Sequence, residues 1–76
     1  MIKEHTKEIR EVINAWSRLG QVTKNSDWWG HCNGALTAIS ELMSILGEHD
    51  LEVLANGEHA KVLASHERVL LSEKSV

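Results

Sequence analysis

Apolar residues recur along this chain first as a narrow helical stripe and then as two broad helical bands. Between residues 2 and 19, Ile2, Ile9, Val12, Ile13, Trp16 and Leu19 follow 3, 4, 7 spacing. At about 100° per residue they cover an arc of roughly 120°, which predicts an amphipathic helix closed by Gly20. From 27 to 46 the band Trp28, Trp29, Cys32, Ala35, Leu36, Ala38, Ile39, Leu42, Met43, Ile45 and Leu46 is wider. It spans roughly 200°, where a surface helix needs little more than about 100°. This central helix is predicted to start at Ser26 or Asp27 as N-cap, to stop at Gly47, and to pack against more than one neighbour. Residues 50–56 predict a short helical turn capped at Asp50, with Leu51, Val53 and Leu54 inward and Asn56-Gly57 ending it; one helix running straight through Gly57 is the alternative. A last helix over 58–72 carries Ala60, Val62, Leu63, Ala64, Val69, Leu70 and Leu71, again over a wide arc, and residues 72–76 are expected to fray.

The pattern therefore predicts an all-α single domain over 1–76, a small antiparallel bundle of three helices, or four if 50–56 stands alone. The connector QVTKNS has an ordinary length for antiparallel neighbours. A domain near this size buries only about 60% of the surface its unfolded chain exposes. Two wide apolar bands exceed what three short helices hide, so a homodimer, or a groove receiving another protein, is expected. The absence of proline agrees with helix throughout. A single cysteine excludes an intrachain disulfide and points to a reducing, cytoplasmic setting. No apolar run reaches the length of a membrane span, and the opening MIKEH is too polar to begin a signal peptide.

Charge changes the picture only locally. The net charge of −3 argues against general nucleic-acid binding. The first helix nevertheless sorts Lys3, Lys7, Arg10 and Arg18 into one stripe, the residues a DNA- or RNA-associated regulator would use. Glu4, Glu8 and Glu11 lie beside them and would repel a polyanion, which favours an ordinary solvated face. Residues 48–58 hold Glu48, Asp50, Glu52 and Glu58 with no base, a solvated acidic turn or a surface for a basic partner.

Histidine is over-represented, with five residues, and helical spacing puts His5, His31, His59 and His66 on apolar faces. Acidification toward about pH 5–6 would then strain the packing. A zinc site built from them meets a geometric objection, since His59 and His66 stand about 10.5 Å apart along a helix axis. A pair from His5 and His59, completed by an acid from 48–58 or by a second subunit, is the one metal alternative left; otherwise no metal and no cofactor is expected. Cys32 has no base within reach on its own helix, because His31 diverges from it by about 100°, and it reads as a structural thiol. No paired carboxylates, phosphate loop or nucleophile elbow is present, so no enzymatic activity is expected.

The polar side of the central helix is made of small neutral residues: Gly30, Asn33, Gly34, Thr37, Ser40 and Ser44, with Glu41 its one charge. Gly30, Gly34 and Ala38 form a small-xxx-small row that lets another backbone approach. Trp28 and Trp29 diverge by about 100°, so one can fill the core while the other reaches an interface. Trp28, Trp29, Gly30, Asn33, Gly34 and Thr37 are accordingly the expected partner-binding residues. In kind, though without any shared motif, such a chain is similar to the small accessory proteins with which phages and mobile elements inhibit or modulate a host protein. Function by protein–protein binding is the expectation.

Overall fold

Three helices follow a 3-10 turn at Ile2–His5: α1 (Thr6–Val22), α2 (Ser26–Ile45) and α3 (His49–Lys74). This computed structural model describes the backbone of residues 2–74 and the side chains of residues 2–65. The described residues form no strand, and the chain is a rod of 50 × 17 × 16 Å.

Local chemistry sets the helix ends. Thr23 leaves α1 in extended geometry, and its N–H closes on the Leu19 carbonyl at 2.9 Å. Asn25, not Ser26 or Asp27, caps α2: its Oδ1 accepts from the N–H groups of Asp27 at 2.9 Å and Trp28 at 3.1 Å. Such a cap contributes about 1 kcal/mol. At the other end Gly47 takes φ +75°, a left-handed conformation glycine adopts at little cost. The Glu48 N–H then reaches the Met43 carbonyl at 2.8 Å and the Gly47 N–H the Ser44 carbonyl at 3.1 Å, which satisfies carbonyls the helix leaves open.

Two other glycines do not end helices. α1 runs past Gly20 to Val22, and α3 runs unbroken through Gly57, so 50–56 and 58–72 are parts of one helix. At Gly57 an added Cβ would meet nothing within 4 Å, so the residue is simply carried in an open helical position. At Gly20 the reason is packing, since the residue is buried against α3.

The core comprises Ile13 of α1, Leu36 and Met43 of α2, and Leu51, Ala55 and Val62 of α3. Ile2, Ile9, Trp16, Trp29, Ile39 and Leu54 pack partly buried around it. Polar bonds pin α3 to both neighbours. The Trp29 indole N–H donates to the Val62 carbonyl at 3.2 Å, and the Ser40 hydroxyl donates to Asn56 Oδ1 at 2.6 Å. On the α1 side, Gln21 donates to the buried Ser17 hydroxyl at 2.9 Å, and Ser17 in turn hydrogen-bonds the Glu58 carboxylate. Because Trp29 meets Val62 only three residues into α2, the last turns of α3 project beyond the start of α2. The side chains of His66, Val69, Leu70 and Leu71, and the end of the chain at 75–76, lie outside the described residues.

Candidate functional site: the face shared by α1 and α2

Part of the surplus apolar surface falls on one flank of α2, while Ile45, Val22, Val53 and Leu63 are exposed elsewhere on the bundle. Trp28, Leu42 and Leu46 are about half exposed, as is Val12 on α1, with Leu19 a little less so. Counting about 100° per residue, Trp28, Ala35, Leu42 and Leu46 share the side of α2 turned toward α1. Between the helices lies an open groove of about 300 Å³, lined by Ile2, Glu8, Ile9 and Val12 from one side and Ile39, Leu42 and Met43 from the other. Glu8 lends the groove its methylenes and keeps its carboxylate in water, as long charged side chains do. Burying the exposed part of side chains such as Val12 and Leu42 releases about 25 cal/mol per Å², so the groove is a favourable seat for apolar groups.

The glycine row faces outward, roughly 80–160° round α2 from that flank. Gly30 and Gly34 are exposed, and a Cβ on either would meet nothing within 4 Å. The expected partner-binding residues therefore divide. Trp28 lies on the α1 side, edge-on to His31 with ring centroids 5.7 Å apart and planes at 77°. Trp29 turns inward to Val62. Asn33 spends its amide N–H on the Trp29 carbonyl at 3.0 Å, and the Thr37 hydroxyl spends its own on the Asn33 carbonyl at 2.8 Å. Val12, Leu42 and Leu46 were not singled out as partner contacts. For Leu42 and Leu46 the sequence signal is the excess width of the α2 band, which does not say which part of it neighbours leave uncovered; Val12 belongs to the narrow α1 stripe and carries no such signal.

The basic residues Lys3, Lys7, Arg10 and Arg18 are all exposed on or beside α1, with Glu4, Glu8 and Glu11 exposed among them. Lys61 of α3 pairs with Glu58 at 2.7 Å. That bond, together with the Ser17 hydrogen bond, holds the Glu58 carboxyl below its ordinary pKa against the opposing effect of burial.

The histidines do not assemble. Of the apolar-face histidines whose side chains are described, His5, in the 3-10 turn, and His31 are exposed and His59 is half-buried, so the burial expected to make the packing acid-sensitive is missing at two of them. Glu58, beside His59, meets Ser17 of α1, twelve residues and about 18 Å along the chain axis from His5. Within one chain His5 and His59 therefore stand too far apart to share an ion. Among the described residues no three His, Cys, Asp or Glu side chains stand together to hold a metal ion. Cys32 is fully buried, and burial pushes its thiol pKa up, away from the reactive thiolate. No helix among the described residues is long and apolar enough to cross a membrane.

Comparison with known proteins gives no relative: no family model fits the chain, and no curated protein or solved structure matches it.

Proposed function

We propose that this chain is a non-catalytic binding protein that seats a segment of another protein in the groove between α1 and α2. By doing so it inhibits or modulates that protein, as small accessory proteins of phages and mobile elements do. The observation that carries this reading is the groove itself, open and apolar, flanked by half-exposed Val12, Leu42 and Leu46. Contiguous exposed apolar surface of this kind marks interaction sites on proteins that otherwise hide it.

The test compares two charge insertions on different faces of α2, about 80° apart round the helix and two turns apart along it. Leu42→Glu places a carboxylate in the groove, and Gly34→Glu places one on the glycine row. Both positions are exposed, so both variants should keep the wild-type circular dichroism spectrum. A partner recovered from host lysate by the wild type and by Gly34→Glu, but lost with Leu42→Glu, supports the groove. Retention by Leu42→Glu with loss in Gly34→Glu would move binding to the glycine row and end this proposal.

A further inference from the structure

The apolar side chains left exposed between α1 and α2 repeat with one period. Trp28, Ala35 and Leu42 follow one another at seven-residue intervals on α2, and Val12 and Leu19 do the same on α1. Each row stays within about 40° round its helix, the seam spacing against which a further helix packs. The rows run side by side: Gly20 is level with Cys32 at one end, and Ile9 and Val12 lie across from Ile39 and Met43 at the other. From Trp28 to Leu46 this face is roughly 27 Å long. Within about 40° of either row, Glu8 is the one Lys, Arg, Asp or Glu of the two helices.

We infer that this face is covered by a second copy of the chain, packed face to face about a two-fold axis that crosses α2 at Ala35. The inference goes beyond the binding reading above, since the copy and any other partner compete for one surface. The axis sets α2 against α2 with its direction reversed, so Trp28 of each copy meets Leu42 of the other. The small Ala35 then sits where the two helices come closest. Charge selects this arrangement. Counting from Gly20 and Cys32, Ala35 is level with Ser17; Glu8 stands nine residues before that level and Lys24 seven after it. Reversing one copy carries the exposed Lys24 of each toward the exposed Glu8 of the other. The ends are otherwise mixed in sign, Lys3 and Glu4 at one and Lys24 and Asp27 at the other, so neither repels its counterpart. A parallel pairing would press Glu8 against the far end of α2, which carries no lysine or arginine. The area is also adequate. Half-exposed Trp28, Leu42, Leu46 and Val12, with Leu19, offer roughly 450 Å² of side-chain surface per copy, and the helix edges beside them extend it toward the roughly 800 Å² that a standard interface takes from each partner.

Light scattering on the full chain should show the mean mass climbing from one chain toward two between about 1 and 300 µM. Leu42→Glu should hold it at one chain, and Gly34→Glu, off this face, should leave it as in the wild type. Glu8→Lys and Lys24→Glu, both at exposed positions, should each weaken the dimer by about tenfold or more, and the double exchange should restore it to within about threefold. All these variants should keep the wild-type circular dichroism spectrum. Ala35→Cys should cross-link to itself under mild oxidation, because the axis pairs that position with its own copy, whereas Gly34→Cys should not. A monomer across the whole range would overturn the inference and leave the groove open to another protein, a reading the lysate comparison tests by itself. A dimer that survives Leu42→Glu, or that cross-links through Gly34→Cys in place of Ala35→Cys, would put the interface on another face and overturn it as well. Single reversals that the double exchange fails to rescue would overturn the two-fold arrangement.

Discussion

A Cβ placed on Gly20 would stand 2.8 Å from Cγ1 of Val62 and 2.9 Å from its Cγ2, closer than side-chain carbons approach in folded proteins. The same atom would lie 3.1 Å from Cβ of Cys32. At Gly20 α1 thus meets both Val62 of α3 and Cys32 of α2, and its missing side chain is what lets α1 close on α3 there. Val62 is fully buried and β-branched, with little rotamer freedom to move aside.

Gly20→Ala should therefore destabilise the fold. Overpacking costs about 1–3 kcal/mol, and the better helix propensity of alanine returns only about 0.5–1 kcal/mol. In a domain this small each kcal/mol moves the melting temperature by about 4–8 °C. Val62→Ala alone should also destabilise, by leaving a cavity. Combined, the two should cost less than the sum of their separate effects, because the alanine at 20 enters the space that Val62 vacates. Strict additivity in thermal melts would show that Gly20 and Val62 do not compete for the same volume.

Gly57→Ala should act in the opposite direction. The position is helical and open, so the substitution adds helix propensity without a clash, about 0.5–1 kcal/mol of stabilisation. A raised midpoint in denaturant unfolding with an unchanged slope is the expected result. A lowered midpoint would mean that α3 needs a break at Gly57 after all.

These glycines show where the sequence was legible and where it was not. Gly47 is legible because it follows a long apolar band and the chain must turn there. Gly20 and Gly57 sit in similar company, yet one is buried by a partner far along the chain and the other is unconstrained. Nothing local distinguishes a glycine kept for its φ from one kept for its lack of a side chain. The all-helical class and the core positions Ile13, Leu36, Met43, Leu51 and Val62 follow from periodicity, which local spacing does report. The groove did not, because an arc of roughly 200° contains two flanks and only tertiary packing decides which is covered. The N-cap slipped by one residue for a simpler reason: Asn25, Ser26 and Asp27 are all capable of capping, and register chooses among them.

Glu58 gives the fold a pH dependence with a definite sign. Its carboxyl is held below the ordinary value of 4.5 by the Lys61 ion pair and the Ser17 hydroxyl. A carboxylate whose folded pKa is depressed contributes stability above its unfolded pKa and loses it as pH falls through the folded one. Wild type should therefore melt above Glu58→Gln at pH 7, and the gap should narrow steadily once pH drops below about 4.5. Removing only the exposed partner, by Lys61→Met, should lower the melting temperature at pH 7 by less than Glu58→Gln does, since the Ser17 bond remains. A gap that widens on acidification would reverse the assigned sign.

Cys32 reports on the same closely packed junction from inside. Its side chain has no solvent contact, and burial raises its pKa, so the native protein should resist a thiol reagent such as Ellman's on both counts. Reaction then requires opening of the bundle, and its rate follows the population of open molecules. In denaturant the thiol should react at once; in buffer at about pH 8 it should react slower by about three orders of magnitude or more, as expected for stabilities of a few kcal/mol. Because Gly20 closes over Cys32, Gly20→Ala should accelerate the native reaction by the factor its loss of stability dictates, about tenfold per 1.4 kcal/mol. Leu42→Glu, on the outer flank of α2, should leave the rate near that of the wild type. If the thiol reacted rapidly in the native protein, or if Leu42→Glu exposed it as fully as Gly20→Ala, the contact among Gly20, Cys32 and Val62 would not be the junction on which the bundle closes.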